Sequence, residues 1–142
     1  MKKFLFICLV VFVLNLSIGI VQAELSNFDV KSNSKNYAKE KLEKVNFSGL
    51  DLRGYNFEKA ELEGSCFKGA NLSGVNFSGA DLEKVDFEGA NLQNANFENA
   101  DLDEANLKNA NISGAIFKNT ELEYAIWTNG QICGAGSVGS CW

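Results

Sequence analysis

The chain has 142 residues with a formal net charge of −5, and it contains no histidine. The lack of histidine excludes catalytic devices that pair a serine or cysteine with an imidazole, and it removes the commonest zinc ligand. The acidic balance disfavours direct binding to nucleic acid, because phosphates attract basic proteins.

Residues 1–23 have the pattern of a secretory signal peptide. Two lysines precede an apolar run from Phe4 to Leu14, and the segment ends on Val21-Gln22-Ala23, with small residues where a signal peptidase cleaves. An uncleaved anchor is the alternative, because Phe4 to Val21 is almost long enough to span a bilayer. Polar and small residues in its second half favour cleavage. A mature chain from Glu24 would be exported, to the periplasm or the medium, with no membrane span.

Cleavage would leave 11 basic and 18 acidic residues, a net charge of −7, in a chain of one-domain size. Residues 24–44 form a polar lead with no clear period until the segment Tyr37–Leu42. We expect a disordered lead followed by a short helix or turn that covers the first coil of the next region, because an exposed terminal edge invites pairing with another chain.

Residues 45–127 repeat with a period of five, which fits neither an α-helix nor a β-strand. Asn, Asp and Gly recur in each unit, and these residues favour turns over helix interiors. A small residue and the large apolar residue two positions later would point inward, with the polar residue between them outward. The pattern therefore predicts stacked coils, roughly 4.8 Å apart, with one corner per unit. The large apolar residues are Phe47, Leu52, Phe57, Leu62, Phe67, Leu72, Phe77, Leu82, Phe87, Leu92, Phe97, Leu102, Leu107, Ile112, Phe117, Leu122 and Trp127.

These units resemble the pentapeptide-repeat family, whose consensus unit is Ala-Asp/Asn-Leu-x-x, over 17 consecutive copies. The resemblance implies an all-β fold, a right-handed quadrilateral parallel β-helix with four units and 20 residues per coil, here about four coils. Counting by 20 places phenylalanines in two opposite inner columns and aliphatic residues in the other two, which fills a narrow core.

Residues 128–142 form a tail that breaks the period and contains Cys133 and Cys141. In an exported chain, this spacing predicts a disulfide that closes a Gly-rich loop, and the lack of histidine disfavours a redox or metal site. The tail resembles endings of secreted bacterial members of the family, and we expect it to be the C-terminal cap, with Trp127 and Trp142 lying over the last coil. Cys66 is then an outward thiol that is free, joined to another molecule or paired with the tail. The last state is disfavoured by a separation of roughly 14 Å, estimated from strand spacing.

One face of the predicted solenoid is strongly acidic, whereas the opposite face is nearly neutral. Neighbouring carboxylates about 5 Å apart repel by roughly 1 kcal/mol per pair in a water-like medium. The cost is compatible with a solubilising surface, with a docking surface for a basic partner, or with a weak array of Ca²⁺ ligands. We call this surface the acidic face; its eight residues are Glu61, Glu63, Asp81, Glu83, Asp101, Asp103, Glu121 and Glu123.

The sequence therefore predicts a non-enzymatic exported repeat protein that acts by surface recognition or as a structural element of the cell envelope. Its partner would be a basic protein or envelope component rather than nucleic acid. No catalytic residue, cofactor or dedicated metal ligand is assigned, and the oligomeric state is left open. A weak Ca²⁺-responsive binding module is the alternative. A remote alternative is a DNA mimic that binds a topoisomerase, as some cytoplasmic members do, but the signal peptide argues against it.

Overall fold

The computed structural model describes residues 35–142, so the predicted signal peptide and most of the polar lead lie outside the described residues. Residues 35–142 contain isolated parallel β-bridges in place of helices or continuous strands. These bridges run from Asn36↔Asn56 to Asn106↔Ile126, one for each five-residue unit, and each joins residues 20 apart. The predicted coil of four units is thereby confirmed. Within this part of the chain no helix is of a length and hydropathy that would cross a bilayer.

Each interior unit makes one corner and donates three backbone hydrogen bonds to the neighbouring coils. The Ala60 amide donates to the Phe57 carbonyl across the corner at 3.0 Å, while the Phe57 amide donates to the Asn76 carbonyl of the next coil at 2.8 Å. The third residue of each corner has a positive φ, such as +64° at Gly79 and +56° at Asn94. This geometry is that of a type II turn, which explains why Gly and Asn recur at that position.

The interior consists of stacked side chains, as predicted. Phe77 lies between Phe57 and Phe97 of its own column, with ring centroids 5.4 Å away on both sides. It also meets Phe67 and Phe87 of the opposite column edge to face, with centroids at 5.7 Å. All five rings are fully buried. The two aromatic columns therefore interlock across the solenoid axis and leave the sides to the aliphatic columns.

The repeat begins earlier than the predicted boundary at Val45. Asn36 and Lys41 already form parallel bridges to the following coil, and Tyr37 and Leu42 belong to the buried core. Of the predicted short helix or turn, turns are found here, but they belong to further units of the repeat rather than to a separate cap. Its large apolar residues continue the period of five, although Lys35 and Glu40 replace the small inward residue, and inter-coil hydrogen bonding does not depend on side-chain size.

The tail folds back on the last coil in antiparallel fashion. Val138 bridges Glu121 and Ile132 bridges Ile126. The predicted disulfide between Cys133 and Cys141 is confirmed, with Cα atoms 4.8 Å apart. Trp127 packs beside Phe117, with centroids 5.3 Å apart. Trp142 does not cover the coil as expected, because its side chain is 65% exposed while its carbonyl accepts a bond from the Gly134 amide.

Cys66 occupies the polar position of its unit, yet it is only 4% exposed. It lies between Asn46 and Asp86 of the adjoining coils, and the Ser48 hydroxyl oxygen is 3.1 Å from its sulfur. The expected free outward thiol is not found, because no cysteine among residues 35–142 is a free thiol, and the tail cysteines bond to each other.

Candidate binding face

The fold brings all eight residues of the acidic face together in two columns. Parallel bridges join Glu61 to Asp81, Asp81 to Asp101 and Asp101 to Glu121. Backbone hydrogen bonds between coils align the second column in the same way. For example, the Lys84 amide donates to the Asp103 carbonyl at 2.9 Å. The spacing of coils thus sets the spacing of carboxylates.

The carboxylates of the first column do not point freely into solvent. The Asp101 Oδ1 atom accepts a bond from the Asp103 amide at 2.9 Å, and Asp81 does the same for the Glu83 amide at 3.2 Å. These side-chain turns mimic a backbone turn and hold the carboxylates against the coil. The acidic face is therefore an ordered array with defined positions.

Two lysines lie on the acidic face beside the eight predicted carboxylates. Lys41 precedes Glu61 in the first column and approaches its carboxylate at 2.6 Å. Lys84 occupies a corner, hydrogen-bonds to Glu83 and lies 3.9 Å from Glu63. The hydrogen bond that Lys84 donates to the Glu83 carboxylate is the main reason that the pKa of Lys84 is raised. Counting the corner residues and the two earlier units by 20 would have found both lysines.

Asp103 is the residue of this face whose ionisation is disfavoured. Its pKa is raised chiefly by desolvation, and the neighbouring carboxylates of Asp101 and Glu123 raise it further. A hydrogen bond from the Glu123 amide to Asp103 Oδ1, at 2.7 Å, acts in the opposite direction. Burial and the neighbouring carboxylates therefore both oppose the charged form of Asp103.

Such a surface can do two things chemically. Exposed carboxylates attract lysine and arginine side chains of a partner, and converging carboxylate oxygens are ligands for hard divalent cations. One oxygen from each of Asp101, Asp103 and Glu121 lies within 4.8 Å of the others.

The repeat is also recognised by comparison with known families. The family model described as pentapeptide repeats matches residues 80–119 with eight copies, and a second, described as a pentapeptide repeat region, matches residues 29–97. With the coil geometry described above, these matches show that the chain belongs to the pentapeptide-repeat family.

One solved structure supports the same assignment. The chain is similar to a pentapeptide repeat protein from the thylakoid lumen of Arabidopsis thaliana, with 27% identity, 74% of this chain and 79% of that chain covered, and a TM-score of 0.65. It is also similar to HetL, a pentapeptide repeat protein involved in heterocyst differentiation regulation in the cyanobacterium Nostoc, with 29% identity, 68% and 51% coverage, and a TM-score of 0.36. No curated protein matches the chain.

Proposed function

We propose that this protein is a non-enzymatic, exported repeat protein that acts by surface recognition, and that the acidic face binds a basic protein or a basic component of the cell envelope. In this proposal the right-handed β-helix is a rigid support and the tail is its C-terminal cap. The observation that carries the proposal is the alignment of eight carboxylates in two columns of one face.

The other faces argue for a specific role of this one, because they carry fewer carboxylates in register and several of their charges are neutralised locally. Lys68 pairs with Glu88 at 2.6 Å, and Lys118 pairs with Glu98 at 2.7 Å. Arg53 pairs with Asp51 at 2.6 Å. Like charges in register on a surface repel one another. A basic partner would be attracted to the same charges and would associate faster.

Two observations support the exported location. A disulfide between Cys133 and Cys141 is typical of proteins that fold in an oxidising compartment. The similar Arabidopsis protein comes from the thylakoid lumen, which is also outside a cytoplasm. Both observations agree with the signal peptide that the sequence predicts.

The binding proposal can be tested with an oligolysine peptide as the basic probe. Fluorescence anisotropy would measure its affinity for the wild type and for the variant Asp81→Asn/Glu83→Gln/Asp101→Asn/Asp103→Asn. We expect the variant to bind at least about tenfold more weakly at low salt, because four of the eight aligned charges are lost.

A matched control removes four carboxylates from the other faces, with the changes Asp51→Asn, Glu58→Gln, Glu88→Gln and Glu98→Gln. The control should keep wild-type affinity if the arrangement matters more than net charge. Equal loss in both variants would mean that the peptide senses only total charge and would contradict the proposal. Site-specific photo-crosslinking from Glu83 in cells would then identify the natural partner.

A further inference from the structure

The tail covers only half of the last coil. The Leu122 amide donates to the Ser137 carbonyl and the Cys133 amide donates to the Ala125 carbonyl, both at 2.9 Å. At the equivalent positions of earlier units these coil groups bond to the following coil, so the tail takes its place on two of the four sides. We call the other two sides, residues 110–119, the open half. The C-terminal end is therefore a step, with the tail one layer above the open half.

The open half has an unpaired backbone edge. Within residues 35–142, the amides of Ile112 and Phe117 and the carbonyls of Ala110 and Ala115 form no backbone hydrogen bond. One coil earlier, the equivalent groups all bond to the coil that follows. A free strand edge of this kind is a template for pairing with another extended segment.

The open half also exposes apolar side chains. Ile112 and Phe117 are partly exposed, whereas Leu92 and Phe97 at the same positions one coil earlier are fully buried. On the outer surface Ile116 is 50% exposed, although every earlier described unit of this side has asparagine at that position. An outward aliphatic residue beside an unpaired edge favours contact with another apolar surface.

The tail has a free edge of its own. Val138 and Ile132 face Glu121 and Ile126 in antiparallel bridges, and the hydrogen bonds of each bridge are made by the flanking residues. The amides and carbonyls of Val138 and Ile132 therefore point away from the coil, and none of them bonds to another backbone group in the described residues. Their side chains are 53% and 59% exposed. The upper edge of the tail is thus unpaired and apolar, like the open half.

The two edges fit one another in a second copy of the chain. A two-fold axis perpendicular to the solenoid axis, through the boundary between residues 119 and 120, would place each tail on the open half of the other copy. Both steps have the height of one strand, about 4.8 Å, so the two ends would meet without a gap. Turning a copy over reverses the sense of its coil, and the tail runs opposite to its own coil. Each tail would therefore run parallel to the open half that receives it, as successive coils do.

The hydrogen-bonding groups of the two edges are also complementary. In this arrangement the Phe117 amide faces the Val138 carbonyl of the second copy, and the Val138 amide of the second copy faces the Ala115 carbonyl. The chain already uses this pattern in the bridge between Asn96 and Ile116, where bonds of 2.8 and 2.9 Å join two coils. The contact would therefore continue the hydrogen bonding of the solenoid across the two chains.

The side chains agree with this pairing. Val138 of the second copy would lie beside Ile116 in the outer column, as an apolar pair on neighbouring strands. Ile132 of the second copy would pair with Asn111 on the adjoining side of the open half. The arrangement thus covers the aliphatic residue that replaces asparagine in the last coil.

The charge of the chain also favours contact at this end. The tail, residues 128–142, has no charged side chain, and the one charge of the open half, on Lys118, is paired with Glu98 at 2.7 Å. Two acidic chains repel one another least where they carry least charge. The C-terminal end is therefore the surface at which two copies can approach most easily.

We propose that this chain forms a closed dimer through its C-terminal end, in which the tail of each copy continues the solenoid of the other. A two-fold contact uses both edges of each copy and leaves none for a third, so assembly stops at two chains. The acidic faces stay exposed, and the dimer would present two of them, which strengthens binding to a partner with two sites. This inference goes beyond the proposed function and does not depend on what the acidic face binds.

Sedimentation equilibrium of the exported protein, as purified, tests the dimer. We expect a monomer–dimer equilibrium with no larger species. Ile116→Asp should raise the dissociation constant at least about tenfold, because the contact would bury a carboxylate beside Val138 of the second copy. Asp86 occupies the same position of its unit and accepts a bond from the Glu88 amide at 2.9 Å, so aspartate suits this coil. An unchanged circular dichroism spectrum of the dilute variant checks that it folds.

The matched control is Asn96→Asp, which adds the same charge in the same column one coil earlier. It should keep the wild-type dissociation constant. A photo-crosslinking amino acid in place of Ile116 should link to the tail of an isotope-labelled second copy. A wild type that stays monomeric up to its solubility limit, equal weakening in the control, or crosslinks that reach the first coil of the second copy would overturn the proposal.

Discussion

The acidic face and the face opposite to it share one backbone but pair their side chains differently. On the opposite face, the Asn91 side-chain amide donates to Asn71 Oδ1 of the preceding coil at 3.2 Å. At the matching positions of the acidic face stand Asp81 and Asp101, whose carboxylates can only accept hydrogen bonds at neutral pH. A column of asparagine side chains, or amide ladder, can therefore satisfy its own hydrogen bonds. A column of aspartates, or carboxylate ladder, needs cations from elsewhere to balance its charge.

The core determines the stability of both faces, whereas the outer side chains determine what each face can bind. The interior columns stabilise both faces alike, since every coil contributes buried side chains to the same core. What distinguishes the two faces is the chemistry of the outer ladder, which contributes little stability and leaves charge available for binding. Four predictions follow the comparison from the core outward.

Replacing a core ring should cost more than any change on either face. For Phe77→Ala we expect a loss of about 3–5 kcal/mol in the free energy of unfolding, because a fully buried ring would leave a cavity between four other rings. Urea unfolding measures it. Phe117→Ala, at the half-buried end of the same column, should cost less. A loss below about 1 kcal/mol for Phe77→Ala would show that packing of the interior rings is not what stabilises both faces.

Removing the tail disulfide should loosen the coil beside the tail and leave the coils farther away unchanged. The variant Cys133→Ser/Cys141→Ser should lose about 2–3 kcal/mol, as expected for a short closed loop. Hydrogen exchange should accelerate at the Leu122 amide, which donates to Ser137 of the tail, and should not change at Leu92, which donates to Asn111. Uniform acceleration across both faces would mean that the tail holds the whole solenoid together rather than one end.

Exchanging aspartate and asparagine between the two faces should reverse the electrostatic difference between them. In EDTA and low salt, Asp81→Asn/Asp101→Asn should gain about 1 kcal/mol by removing repulsion. The reciprocal variant Asn71→Asp/Asn91→Asp should lose a similar amount. Both effects should shrink in 1 M NaCl, measured by urea unfolding, because salt screens surface charges. A gain that persists in high salt would point to hydrogen bonding in place of charge.

The smallest effect is expected at Asp86, a ladder carboxylate outside the acidic face. Desolvation raises its pKa above the ordinary value of 3.8. The folded protein therefore binds this proton more tightly than the unfolded chain, so the residue lowers stability as pH rises above about 4. Asp86→Asn keeps an acceptor for the Asn106 amide and should gain up to about 1 kcal/mol at pH 7.

The pH dependence supplies the check on Asp86. The advantage of the variant should grow from pH 4 upwards and vanish below that pH, as measured by thermal unfolding. Asp51→Asn is the control, because a hydrogen bond from Arg53 lowers the pKa of Asp51 and should give a small change of opposite sign. A gain at Asp86 that is constant between pH 3 and 7 would rule out ionisation as its cause.

The sequence by itself determined the coil. A large apolar residue at every fifth position, with Asn, Asp and Gly at fixed offsets, leaves few backbones that bury the first set and turn at the second. The phase of 20 residues then placed Phe77 in its stack and Glu61, Asp81, Asp101 and Glu121 in one column. The disulfide followed from two cysteines in a tail that departs from the period.

Only the tertiary structure decided what lies at the two ends and beside the ladders. The period weakens in residues 35–44, where the small residue is missing, yet hydrogen bonds to the next coil recruit Tyr37 and Leu42 into the core. Counting by 20 places Lys84 beside these columns, but its contacts with three carboxylates depend on the direction that its long side chain takes from the corner. The pairing of Ser137 and Val138 with the last coil depends on the tail folding back, a contact between segments that share no common period.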